Sequence, residues 1–106
     1  MAWISLIVAG LFETVWAFSM KKSEGFTLLW PTAITIAAMV VSFWLLALAM
    51  KSLPLGTAYM VWTGIGAVGA FIAGAIFLGE PLNPLRIAAA VLIASGLVLM
   101  KFSSEG

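Results

Sequence analysis

The chain has 106 residues, 64% hydrophobic and 8% charged, with a mean hydropathy of +1.21, where a soluble domain carries roughly 25% charged residues; this composition excludes a water-soluble fold. It has neither cysteine nor histidine, which removes zinc sites, haem ligation, disulfides, thiol nucleophiles and imidazole acid–base chemistry. Five basic and four acidic residues, for a net charge of +1, are scattered singly or in pairs without the basic stripe that nucleic-acid binding needs.

A helix crossing a bilayer core of about 30 Å needs about 20 mostly apolar residues, and the chain divides into four such runs. The first covers about residues 2–20 and is interrupted by Glu13; Lys21, Lys22, Ser23, Glu24 and Gly25 then mark a turn at the membrane surface. A secretory signal would carry basic residues ahead of its apolar stretch and no acid within it, whereas here the lysines follow, so the run is read as a span. The second covers about 31–50, with Trp30 as an interface anchor and Pro31 in the first turn, where its missing N–H costs nothing. The third, about 56–78, contains no charge. Asn83 followed by Pro84 reads as an N-cap with proline at the first helical position, opening a fourth helix over about 84–102. The expected architecture is therefore an all-α integral membrane protein, a single domain of four antiparallel transmembrane helices with short loops.

Four spans place both termini and the Lys51 loop on one side, opposite the loops with Lys21, Lys22 and Arg86. Orientation follows the lysine and arginine bias, and this bias is nearly even. A chain able to insert both ways can pair with an inverted copy of itself, giving the inverted-repeat symmetry that larger transporters build within one polypeptide.

Glu13 is the candidate for chemistry. An acid at the centre of a spanning helix costs roughly 2.5–3.5 kcal/mol on insertion scales, and intramembrane ionisable groups mark ion or proton sites by default. No basic residue lies at comparable depth, so no ion pair is available and the carboxyl is expected to take up and release a proton; the plainer alternative is a protonated carboxyl hydrogen-bonded between helices. Leu6, Ala9, Gly10, Trp16, Ala17 and Met20 share its helix face. Trp16 can stack on a cation, present its indole N–H to the carboxylate, or simply pack.

In the third run Tyr59, Trp62, Thr63, Gly66 and Ala70 form a second stripe, whose aromatic members could equally be interface anchors. Ser42 is a lone hydroxyl, of the kind that commonly bonds back to the carbonyl four residues earlier. Residues 64–69 match a dinucleotide-binding glycine pattern letter for letter, but that motif needs a preceding strand; in a membrane span, Gly64, Gly66 and Gly69 read as a kinkable point. Ala90, Ala94, Ser95 and Gly96 are small positions suited to close helix contact, most simply a dimer interface.

Three segments, W-I-S-L-I-V-A-G-L-F-E-T-V-W over residues 3–16, K-S-E-G-F-T-L-L-W-P over 22–31 and L-P-L-G-T-A-Y-M-V-W-T-G-I-G over 53–66, give the chain an end-to-end resemblance to the small multidrug resistance family of transporters. Trp16 after Glu13, and the string from Trp62 to Ala67, resemble its guanidinium-exporting subtype rather than the quaternary-ammonium subtype. The resemblance implies an antiparallel, dual-topology homodimer in a bacterial inner membrane that exchanges protons for a small organic cation without any cofactor or metal. It assigns Glu13 to proton and substrate binding, Trp16, Ser42, Tyr59 and Trp62 to the surrounding substrate site, and Gly64 to Gly69 to a helix kink. Met60 departs from the family's small residue at that position, a change that bears on gating or substrate range.

Three other functions compete with guanidinium export. Export of bulky quaternary ammonium ions would rely on aromatic and apolar contacts alone. A non-transporting assembly subunit would use Glu13 as a staple between helices. An enzyme is the poorest fit, because nothing pairs a nucleophile with a base.

Overall fold

The computed structural model describes residues 1–105 and contains four helices among them: α1 Ala2–Lys22, α2 Leu29–Met50, α3 Leu55–Phe77 and α4 Pro84–Glu105. All four are long and apolar enough to cross a membrane. α1 continues beyond the apolar run through Lys21 and Lys22, because basic side chains suit the negative end of the helix dipole. α2 starts before Pro31, which occupies its first turn, and α3 begins directly after Pro54.

The first loop reverses through three successive left-handed residues, Glu24, Gly25 and Phe26, with φ of 51°, 74° and 67°. For the two residues other than glycine this conformation costs roughly 1–2 kcal/mol each. Ser23 offsets the cost: its hydroxyl donates to the Met20 carbonyl at 2.7 Å and accepts the Phe26 N–H at 3.0 Å, tying the turn to the end of α1. At the last loop Gly79, with φ of 68°, turns the chain so that the Glu80 N–H returns to the Gly74 carbonyl at 3.1 Å. Asn83 caps α4 as expected, its Oδ1 accepting the Arg86 N–H at 2.9 Å.

α1 is the central helix, packed on both α2 and α3, while α4 packs on α3 alone. The buried core joins Leu6 and Ala9 of α1, Leu46 and Ala49 of α2, and Ala58, Val61 and Trp62 of α3. These residues fill the half of the bundle that holds the N-terminus and the Lys51 loop, and Glu13 lies beyond them toward mid-span. The protomer measures 44 × 34 × 16 Å, and its thinnest dimension is little more than one helix diameter of about 10–12 Å.

Candidate functional site

Helical spacing on α1 brings Gly10, Glu13, Thr14 and Ala17 toward α3, and α3 answers with bare backbone. Gly66 lies directly against the Glu13 carboxylate, Gly69 against Thr14, and Gly10 against Ile65, each so closely that a β-carbon would overlap its neighbour. Gly64 receives Leu97 of α4 in the same way. α3 is continuous from Leu55 to Phe77, so in this conformation Gly64, Gly66 and Gly69 act as seats for side chains of adjoining helices rather than as a visible break.

Glu13 Oε1 is buried and has no hydrogen-bond partner among the described residues, and the same holds for the indole N–H of Trp16 one turn further on. Buried polar atoms are nearly always paired in native proteins, so an orphan acceptor and an orphan donor one turn apart set this helix face apart.

Ser42 does not bond back along its own helix. Its hydroxyl donates to the Ala9 carbonyl of α1 at 2.7 Å and accepts the indole N–H of Trp62 from α3 at 2.9 Å, so one fully buried oxygen ties three helices together. The bond fixes the Trp62 ring, and a file of aromatic rings follows from it. Trp62 lies 5.6 Å from Tyr59 and 5.7 Å from Phe43, and Phe43 lies edge-on to Trp16 at 6.3 Å. The string Trp16–Phe43–Trp62–Tyr59 thus runs from α1 across α2 to α3, with Phe43 and Tyr59 about half exposed. Phe43 is the member that sequence reasoning missed: α2 is apolar on every side, so no periodicity distinguished this phenylalanine from its neighbours.

The residues singled out on α4 lie elsewhere. Gly96 lines a cavity of about 380 Å³ between α3 and α4 together with Met60, and Ala90 lines a smaller one beside Phe71. Ala94 is half-buried, and the most exposed side of α4 is the stripe Leu85, Leu92 and Leu99. Among the described residues no group of three or more metal-ligating acidic side chains gathers.

Four membrane-length helices, the first carrying a carboxylate with a buried, unpartnered oxygen, define a small multi-pass membrane protein. The chain belongs to the small multidrug resistance family, since the family model described as Small Multidrug Resistance protein matches residues 1–93. It is 57% identical over 105 residues to a protein of Escherichia coli (strain K12) named Guanidinium exporter, an alignment covering 99% of this chain and 100% of that one. Proteins of the same name from Citrobacter freundii and Salmonella typhimurium are each 54% identical over 105 residues, again covering 99% of this chain and 100% of the relative. The protein is a multi-pass protein of the bacterial inner membrane.

Proposed function

We propose that the protein exports guanidinium or small substituted guanidinium cations in exchange for protons, working as an antiparallel homodimer. The observation that carries the reading is the Glu13 carboxylate, held against Gly66 with a buried oxygen that no described residue satisfies, one helical turn from Trp16, the first ring of the file that Ser42 anchors. A guanidinium is planar and offers a fork of N–H donors that a carboxylate accepts in pairs, and aromatic faces attract its charge. The relatives named Guanidinium exporter support the same substrate class.

Coupling follows from exclusion. A carboxyl that holds a proton has no charge for the cation, and a carboxylate that holds the cation has no place for the proton, so a cavity opening to one side at a time exchanges one for the other. Bending at Gly64, Gly66 and Gly69 supplies the change of access.

The test is transport in proteoliposomes. Wild-type protein is expected to drive proton-coupled uptake of guanidinium, and Glu13→Gln to abolish it; transport unchanged in Glu13→Gln rejects the mechanism. Equal or faster uptake of a tetraalkylammonium, which lacks N–H donors, would replace the guanidinium reading with the multidrug one.

A further inference from the structure

The groove between α1 and α3 does not end at Glu13. Four residues on, Ala17 faces Ala70, and there the helices part around a cavity of about 160 Å³ whose outer lining is Phe18, Lys21, Gly74 and Glu80. Glu80 belongs to the loop before α4, yet its carboxylate folds back onto Gly74 as Glu13 does onto Gly66, closer than a β-carbon would allow. Two carboxylates are therefore seated on two glycines of α3, eight residues or about 12 Å apart along the helix, and between them the groove holds Thr14, seated on Gly69, and then Ala17 and Ala70.

The outer carboxylate already shows what it binds. The guanidinium of Arg86 stands 3.8 Å from Glu80 Oε1 and 5.4 Å from the centre of the Phe71 ring, a carboxylate and an aromatic face together. The pair is loose: 3.8 Å is beyond hydrogen-bond length, both side chains are about 40% exposed, and the Arg86 Nε–H has no acceptor. Half-exposed pairs of this kind are weak and easily exchanged. The same cavity is lined by Phe18, a ring held by Phe77 at 5.8 Å and itself faced by the Lys22 ammonium at 5.8 Å.

Building on the guanidinium-exporter reading, we propose that Glu80, at the loop-side mouth of the α1–α3 groove, is a second and weaker guanidinium site through which the cation passes to or from Glu13, with Arg86 as the tethered guanidinium that fills it between passages. Lys21 lines the same cavity, and its charge shortens the stay of any cation there. A transfer site must bind well enough to be entered and weakly enough to be left.

The experiment is a titration of the full-length protein in nanodiscs, with glutamate labelled at the side-chain carboxyl with carbon-13, by guanidinium chloride and separately by tetramethylammonium chloride at matched ionic strength. Two resonances are expected to move with guanidinium, a tighter one missing from Glu13→Gln and a weaker one missing from Glu80→Gln, while Glu24, exposed in the first loop, stays still. Arg86→Gln should tighten the weaker response about threefold or more by removing its competitor. In transport, Glu80→Gln should raise KM for guanidinium about threefold or more while equilibrium binding at Glu13 stays within about twofold. A Glu80 resonance that does not move, or moves no more than that of Glu24, or moves equally with tetramethylammonium, overturns the proposal. A silent Glu13 resonance instead overturns the exporter reading itself.

Discussion

The Glu13 carboxylate rests on the backbone of Gly66, with no room for a β-carbon between them. A helix that presents glycine to an embedded acid holds that acid closely without giving it a hydrogen-bond partner, and on the proposed export mechanism its oxygen is then free for the cation. Gly66→Ala should therefore push the carboxylate off its seat and weaken guanidinium binding about tenfold, near 1.4 kcal/mol. Alanine is also the better helix former by about 1 kcal/mol, so thermal unfolding should show no matching loss of stability. Unaltered binding in calorimetric titration would mean that the seat does not matter.

The oxygen of Ser42 serves Trp62 and Ala9 at once. Ser42→Ala leaves a buried indole N–H without an acceptor, and interhelical hydrogen bonds in membranes are worth about 0.6 kcal/mol on average and up to about 1.7. A double-mutant cycle of Ser42→Ala with Trp62→Phe, read by reversible unfolding in detergent, should give a coupling of about 1 kcal/mol. Purely additive losses would show that the bond contributes nothing to the fold.

Phe43 touches Trp16 on one side and Trp62 on the other. Aromatic pairs are worth about 0.5–1.5 kcal/mol beyond the area they bury, so Phe43→Ala should lower guanidinium affinity roughly threefold to tenfold by releasing both indoles. Phe43→Tyr keeps the ring and should stay near wild type. Fluorescence of the released tryptophans offers an independent measure of the same event.

Asn83 closes the start of α4 through its side-chain oxygen. Asn83→Ala should destabilise the protein by about 1 kcal/mol, and Asn83→Asp should be nearly neutral, since either carbonyl or carboxylate oxygen can accept the Arg86 N–H. Denaturant midpoints for the two variants compare them directly; equal midpoints would mean that α4 derives no stability from the cap.

Some of the local structure was legible from residue types alone. Asn83 and Pro84 announced a helix start, and the structure shows the capping hydrogen bond. Lys21 and Lys22 were read as the beginning of a turn, yet they complete α1, because a helix dipole accepts basic residues that hydropathy assigns to water. Ser42 was open between a bond along its own helix and a role in the site; its actual partners come from α1 and α3, and no local pattern names them. Glu80 read in the sequence only as part of the Gly79-Glu80-Pro81 break that ends the third span; the turn at Gly79 folds it over Gly74.

By itself the sequence determined that four apolar helices cross a membrane and that one of them carries an acid at depth, because hydrophobic length and the cost of a buried charge depend on residue type and order alone. The tertiary structure decided what lies against that acid and how the rings assemble: the glycine beneath Glu13, the file of rings drawn from three helices, and the second carboxylate seated on the same helix. Helices apolar on every side have no polar face to declare which way they turn, so only their packing against one another chooses the neighbours.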